Sequence, residues 1–422
     1  MTTTTTPPAG TSPTPAPARR SVPSIVWWLG GMVAVLLFLS VLTLVTGADD
    51  LTSSGTVRAT LIALVPIMLA GLGGLWAERA GIVNIGLEGM MILGTFGAGY
   101  FAFNYGAWAG VLGALFFGAL GGLIHATATV VFGVDHIISG VAINIIALGA
   151  VSYLAESAFS GLPGGGDTQS PRLPQLPQIT IGPLSEPLGR LEGDEIFFVS
   201  EAAALLRGLV TGLSVLTVIA LLLLVVTYVV LWKTSFGLRL RSVGESPAAA
   251  ESLGVAVMRY KFVAVLVSGS MAGLAGGFLA MVAASAYREG QTGGRGYIGL
   301  AAMIFGNWRP SGLLAGSGLF GYTQSLGLRQ GGTSVHALLL AVAVLAIGLA
   351  GYQLYRRQVR LAVGILVAAA VLLAVYASID RVPGDFTNIT PYVITLLVLA
   401  FASQRLRMPA ADGQVYRKGS AG

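Results

Sequence analysis

The sequence predicts an all-α polytopic membrane protein, and three observations lead to that fold class. Of its 422 residues, 55% are hydrophobic and only 10% are charged, whereas soluble domains carry about a quarter charged residues. The mean hydropathy of the chain is +0.80. Apolar stretches of about 20 residues, which cross a bilayer as helices, recur along almost the whole length and favour helices over a β-barrel.

Taken in chain order, the apolar stretches predict about 10–12 transmembrane helices. They lie near 25–46, 57–76, 82–103, 107–132, 137–158, 206–232, 260–283, 297–307, 311–328, 335–353, 361–379 and 390–404. The stretch at 297–307 is too short to span unaided, so we expect it to cross half the membrane or to re-enter. Glycines spaced by four residues, as in Gly269-xxx-Gly273 and Gly118-xxx-Gly122, indicate closely packed helix faces.

The basic residues predict the orientation of this bundle. Lys and Arg accumulate in cytoplasmic loops, which places a disordered Thr/Pro/Ala-rich tail at 1–23, an insert at 233–259 and a tail at 405–422 in the cytoplasm. The transmembrane region is then 24–404, and its Pro/Gly-rich segment 159–205 lies outside the cell. The first span is longer than the apolar core of a signal peptide, so we expect it to remain uncleaved.

Several kinds of chemistry are excluded by the residues that the chain contains. There are no cysteines and the three histidines are scattered, so neither a metal site nor another cofactor is predicted. The single Lys-Thr pair, Lys233-Thr234, follows Trp232 instead of a glycine-rich loop, so the chain contains no ATP-binding P-loop. The net charge of +6 is distributed over loops beside the spans and does not indicate nucleic-acid binding. The chain is therefore not predicted to be an enzyme.

The insert at 233–259 contains a short helix with both ends marked in the sequence. Ser246 is a suitable N-cap, Pro247 suits the first helical position, and Gly254 suits a left-handed stop. These signals predict a helix at about 246–253, set between two long apolar spans.

The surface of this short helix fits a groove in another protein. Glu245 and Glu251 can pair with basic groups of a partner, and small apolar side chains such as Ala248 and Ala249 provide a thin contact face. Arg241 could equally contact anionic lipid headgroups. An ordinary amphipathic loop explains the pattern equally well.

Glu88 and Asn84 are the polar residues that stand out within the spans. Their separation of four residues would place both on one face of a helix, and Gly81, Gly86 and Gly89 around them indicate a broken or closely packed helix. A carboxylate inside the membrane marks either a transport pathway or a partnered structural site. From the sequence, the two interpretations are equally balanced.

Four stretches carry a resemblance to a known family. RSVGESPAAAESLGV (241–255) resembles the coupling-helix region of permease subunits of ABC importers, of the branched-chain amino acid/ribose type. Three others are similar to the nucleoside and simple-sugar branch of those permeases. They are ERAGIVNIGLEGMMILG (78–94), GYIGLAAMIFGNWRPSGLLAGSGLFG (296–321) and TPYVITLLVLAFASQRLRMPAADGQVYRKG (390–419).

The resemblance implies an importer permease in a bacterial cytoplasmic membrane, moving a nucleoside or simple sugar, with a branched-chain amino acid as an alternative. It implies ATP-binding ATPase subunits, a second permease subunit and an extracytoplasmic solute-binding protein that docks on 159–205 and 284–296. The implied coupling residues are Arg241, Gly244, Glu245, Ser246, Pro247, Ala248, Ala249, Glu251 and Gly254. Candidates for the solute pathway are Asn84, Glu88, Asn144 and Gln324. The chain departs from the family pattern at 335–385, where it has an extra helix pair.

A secondary transporter of the major facilitator type is the main rival interpretation, because it also has about twelve spans with both ends inside. Residues 74–81 match the first half of that family's loop signature. The basic run that should follow is replaced by Ile82, Val83 and Asn84, and the four ordered stretches above favour the ABC permease.

Overall fold

The computed structural model describes residues 24–383, 393, 406–417 and 419. The tail expected at 1–23 and, apart from Val393, the span expected at 390–404 lie outside those residues. Within the described part, seven helices are long and apolar enough to cross a membrane. The fold is all-α and polytopic, as the composition predicts.

The described residues form fourteen α-helices, numbered in chain order. They are α1 Ser24–Thr46, α2 Ser54–Arg79, α3 Leu87–Tyr105, α4 Ala107–Ala126, α5 His136–Phe159, α6 Gly182–Gly193, α7 Val199–Val210, α8 Val215–Lys233, α9 Ser235–Glu245, α10 Pro247–Ser252, α11 Val257–Phe278, α12 Arg295–Phe305, α13 Pro310–Tyr355 and α14 Val359–Ser378. Single π-helical turns extend α4 through Val131 and α11 through Ala283. Two short strands, β1 Gln178–Ile179 and β2 Leu213–Ser214, pair antiparallel.

Helices α2, α3, α4 and α11 form the centre of the bundle through glycine contacts. Gly273 of α11 lies so close to α4 that a Cβ there would overlap the Ala114 carbonyl oxygen and would come 2.6 Å from the Gly118 Cα. Gly94 of α3 faces the same glycine from the other side. The glycine spacing therefore predicted where helix backbones approach each other closely.

Three of the expected spans are divided or joined in the structure. The stretch 206–232 is divided between α7 and α8, because Gly212 adopts a left-handed φ of +62° and the Ser214 hydroxyl accepts the Leu216 N–H as a new N-cap. The stretches 311–328 and 335–353 are joined in α13, because no proline or N-cap interrupts 329–334. At 1.5 Å per residue, this 46-residue helix is about 70 Å long, more than twice the hydrocarbon thickness. The extra pair at 335–385 is thus the second half of α13 with α14 packed against it.

Helix α12 is too short to cross a membrane alone, as the short stretch at 297–307 predicts. Its 11 residues measure about 16 Å. The non-helical chain that precedes it passes Tyr287, which lies against Gly99 of α3, and reaches Gly294 beside Glu88. Helix α12 therefore begins well inside the bundle and ends beside the last turn of α2, where Trp308 contacts Arg79. We call this end of the bundle, which also holds α9 and α10, the insert face.

Candidate functional site

The short helix of the insert is present, with the caps that the sequence predicts. Helix α10 spans Pro247–Ser252, and the hydroxyl of Ser246 accepts the Ala249 N–H at 3.4 Å. Pro247 occupies its first position, and Gly254 follows its end with a φ of +80°. The helix begins and ends one residue inside the expected range 246–253.

Helix α10 has one anchored side and one open side. Ala250 is buried against Val243 and Val257, which fixes the helix on the bundle. Ala249 is exposed, and the Leu253 side chain just after the helix is 84% exposed. The open side therefore presents apolar surface that nothing in the described chain covers.

The insert is attached directly to the end of α2. A Cβ on Gly244 would overlap the Arg79 carbonyl oxygen, so only glycine allows this approach. The Glu245 carboxylate lies 3.9 Å from the Arg79 guanidinium. Arg241 donates to the Leu231 carbonyl at 2.9 Å and its guanidinium lies 5.6 Å from the Trp232 ring centre. Both charges thus have contacts within the chain, which the sequence did not indicate.

The C-terminal segment 406–417, which we call the tail strap, runs across the insert. The Ala411 N–H donates to the Gly244 carbonyl at 2.9 Å, and the Ala410 N–H donates to the Glu245 carboxylate at 3.2 Å. Tyr416 packs on the cluster that anchors α10. Sequence reasoning assigned this segment only as a cytoplasmic tail and missed these contacts.

Charged residues are buried where the tail strap meets α2 and α11. The Glu78 carboxylate accepts the Trp308 indole N–H, and the Lys261 ammonium, 1% exposed, donates to the Gly81 carbonyl at 3.2 Å. Asp412 of the tail strap reaches this group. Burial raises the pKa of the Asp412 carboxyl to about 7, although the charges of Lys261 and Arg79 act in the opposite direction. A lysine in the first turns of an apolar span was the only sequence signal for this cluster.

Glu88 holds the start of α12. Its two carboxylate oxygens accept the backbone N–H groups of Gly294 and Gly296 at 2.9 and 2.7 Å, and the residue is 7% exposed. An anion at a helix N-terminus satisfies free N–H groups and is favoured by the helix dipole. The contacts give Glu88 a structural partner, and its place in a solute pathway stays a prediction.

Asn84 and Asn144 make separate contacts near Glu88, and Asn84 does not lie where the spacing predicts. Helix α3 begins at Leu87, so Asn84 precedes it. The prediction that Asn84 and Glu88 share one face of a helix is therefore wrong. Asn84 donates to the Ser268 hydroxyl at 2.9 Å. The Asn144 amide accepts the Gly89 N–H at 2.7 Å and donates to the Tyr297 hydroxyl at 2.8 Å. Together these side chains stabilise the break between α2 and α3.

Gln324, the fourth pathway candidate, is not brought to this cluster. Its neighbour Ser325 lies 2.9 Å from the Thr60 hydroxyl, near the start of α2 and therefore at the opposite end from the insert face. The aromatic residues of α3 also have a packing role, since Phe96 contacts Phe159 and Tyr287. Among the described residues, no group of three or more His, Asp or Glu side chains could hold a metal ion.

A multi-pass helical bundle with a non-helical break and a half-helix at membrane depth is typical of solute transporters. Comparison with protein families identifies the class more narrowly. The model of the family "branched-chain amino acid transport system / permease component" matches residues 56–349. The chain belongs to this permease family and is a multi-pass protein of the cell membrane. This assignment sets aside the major facilitator interpretation.

Three relatives show the similarity over long stretches. The guanosine ABC transporter permease protein NupQ of Bacillus subtilis (strain 168) is 32% identical over 86% of this chain and 96% of its own length. The nucleoside ABC transporter permease protein NupC of Lactococcus lactis subsp. cremoris (strain MG1363) is 31% identical over 85% and 95%. The putative glucose ABC transporter permease protein TsgC13 of Haloferax volcanii is 32% identical over 66% and 78%. No solved structure gave a significant match.

Proposed function

We propose that this chain is the permease subunit of an ABC importer that carries a nucleoside or a simple sugar into the cell. The observation that carries the proposal is the family match together with relatives, named as nucleoside and sugar permeases, that align over most of their length. The sequence contains no P-loop motif, so a separate ATPase supplies the energy.

The structure of the insert supports α10 as the coupling helix. Its exposed apolar side and the exposed Leu253 have the form of a short helix that docks in a groove. Because Gly244 and Glu245 attach the insert to Arg79, a push on α10 is passed to the end of α2. The insert face is then cytoplasmic, and it contacts the ATPases.

The remaining partners follow from the same assignment. A second permease subunit, identical or similar, covers the exposed lipid-depth face of α5. A solute-binding protein docks at the opposite end, on the segment 159–205 that includes α6, and on the neighbouring chain before α12. In the proposed solute pathway between the solute-binding protein and the ATPases, Glu88 and Asn144 lie at the start of α12. Asn84 and Gln324 lie farther from α12.

The coupling assignment is tested by substituting the exposed end of α10. Leu253→Arg removes the apolar anchor, and Gly254→Val forces a branched side chain into a left-handed backbone. Glu245→Arg places a second guanidinium beside Arg79. We expect each change to weaken ATPase binding about tenfold or more, as at interface hot spots, and to abolish uptake while membrane insertion is unchanged.

The matched control is Leu354→Arg, an exposed leucine at the far end of α13. ATPase copurification and solute uptake should equal those of the original protein. Normal uptake in Leu253→Arg and Gly254→Val together would overturn the coupling assignment. The uptake panel contains nucleosides, simple sugars and leucine, so that it also tests the class of solute.

A further inference from the structure

The chain before α12 is non-helical and lies at membrane depth. It passes Gly99 of α3 at Tyr287 and reaches Glu88 at Gly294. Those two α3 positions are 11 residues apart, which is about 16 Å along the helix. Since Gly99 is itself about 9 Å inside the Tyr105 end of α3, residues 287–294 cross much of the membrane thickness without helical hydrogen bonding. We call residues 287–294 the re-entrant segment.

Half of this re-entrant segment is exposed in the single chain. Arg288, Glu289, Gly290 and Gly293 are exposed, and Tyr297, one turn into α12, is 46% exposed. Lipid does not satisfy backbone N–H and C=O groups, so non-helical chain at this depth must be buried in protein or must line water. Charged side chains at this depth must likewise be buried in protein or face water.

The re-entrant segment and helices α3 and α5 enclose a narrow cleft of about 250 Å³, counted to its open mouth. Its walls are Ile92 and Thr95 of α3, Leu148 and Val151 of α5, and residues 287–292. Most of this space is open to the surroundings, and the enclosed part has room for about one water molecule. The cleft must therefore widen before a sugar ring can enter it.

Gln291 presents to this cleft a side-chain amide that has no partner in the described chain. Both atoms of its side-chain amide are buried, and neither makes a hydrogen bond within the described part of the chain. Buried polar groups without a partner are rare and costly. The neighbouring Glu289 carboxylate, in contrast, already accepts the Ser152 hydroxyl at 2.9 Å.

We propose that the re-entrant segment lines the solute pathway and that the Gln291 amide binds the hydroxyl groups of a neutral sugar ring. One amide offers a donor and an acceptor side by side, which matches adjacent hydroxyls. The apolar side chains of Ile92, Leu148 and Val151 provide a surface for the C–H face of the ring. The ring is the ribose of a nucleoside or a free sugar, so this inference rests on the proposed function.

Position 291 can be tested for contact with water because the chain contains no cysteine. Gln291→Cys is made in the complete transporter and treated with a charged, membrane-impermeant thiol reagent, with and without each solute of the uptake panel. The control is Leu222→Cys, an exposed residue of α8. We expect labelling at 291 that the transported nucleoside or sugar slows about tenfold, and no labelling at 222.

Absence of labelling at 291 both with and without ATP would overturn the pathway, as would labelling that no solute affects. Protection by leucine alone would overturn the sugar-ring assignment. The original protein is assayed in parallel, so failure of the proposed function shows as absence of nucleoside and sugar uptake before any substitution.

Transport kinetics give the second test. Gln291→Leu keeps the approximate size of the side chain and removes its hydrogen bonds, so we expect kcat/KM for uptake to fall about tenfold or more. Gln291→Asn should retain part of the activity. The control Gln358→Leu, exposed before α14, should match the original protein. Unchanged uptake kinetics in Gln291→Leu would overturn the role of the amide.

Discussion

Helices α2 and α5 are equally hydrophobic but have opposite positions in the bundle. The mean hydropathy of both spans is 2.0, yet 78% of the α2 span is buried within the chain and only 28% of the α5 span. A high hydropathy shows that a helix is stable in an apolar environment. Because lipid is as apolar as a leucine side chain, hydropathy does not tell whether lipid or protein surrounds the helix.

Glycine contacts distinguish the two regions. Gly73 of α2 lies so close to α11 that a Cβ would come 2.6 Å from the Ser268 carbonyl oxygen, whereas Gly149 of α5 has no neighbour within 4 Å. Isoleucines such as Ile145 and Ile146 leave the outer face of α5 exposed. The centre is thus held by close backbone approach, and α5 provides a surface for lipid or a second subunit.

Filling a central glycine should have the largest effect. Gly273→Val places a branched side chain against the backbone of α4 at Ala114 and Gly118, where neither helix can yield. We expect a loss of about 3 kcal/mol or more in the free energy of unfolding, and little folded protein in the membrane. The measurement is the yield of monodisperse protein after detergent extraction, with its apparent Tm.

The matched substitution is Gly149→Val in α5, which should leave the yield and the apparent Tm of the isolated chain unchanged. If both variants behave alike, close glycine packing does not distinguish the two regions. A Gly149→Val chain that folds but no longer forms pairs would sharpen the comparison, since it would place the second subunit on α5.

Removal of the Glu88 carboxylate should have the next largest effect. Glu88→Leu leaves the N–H groups of Gly294 and Gly296 unpaired inside the bundle, and hydrogen bonds to charged groups contribute about 1.5–3 kcal/mol each. We expect about 3 kcal/mol of destabilisation. Glu88→Gln keeps one acceptor oxygen and should lose about half as much, measured by the apparent Tm.

Uptake by Glu88→Gln separates the two interpretations of this residue. If Glu88 only holds α12, uptake per folded transporter should stay near that of the original protein. A loss of uptake much greater than the loss of folded protein would place the carboxylate in the solute pathway. Ser270→Ala, on α11 with its hydroxyl bonded to its own helix, serves as the control for a polar deletion.

The sequence predicted local features better than contacts between distant segments. The caps of α10 at Ser246 and Gly254 depend on neighbouring residues, so they could be derived from the sequence. The length of α12 was also evident, because 11 residues cannot span a membrane. The Gly294 N–H that Glu88 accepts is 206 residues away along the chain, and the charged groups beside Asp412 are more than 150 residues away. No local pattern encodes such pairings. The union of 311–353 in one helix was missed because the polar and glycine residues 329–334 separate two apolar stretches.

Protonation of the tail strap should have the smallest and most local effect. The pKa of Asp412 is raised by burial from an ordinary value near 3.8 to about 7, so the docked strap binds a proton that the undocked strap releases. Docking should therefore weaken as the pH rises from about 4 to about 7 and should stay weak above that window. Asp412→Asn should remove this dependence and keep the strap docked at pH 8.

The measurement is the hydrogen-exchange protection of the Ala410 and Ala411 amides. The control is Asp380→Asn, at an exposed position after α14. Protection that stays constant with pH in the original protein would contradict the prediction and would mean that the strap is held by its backbone hydrogen bonds alone.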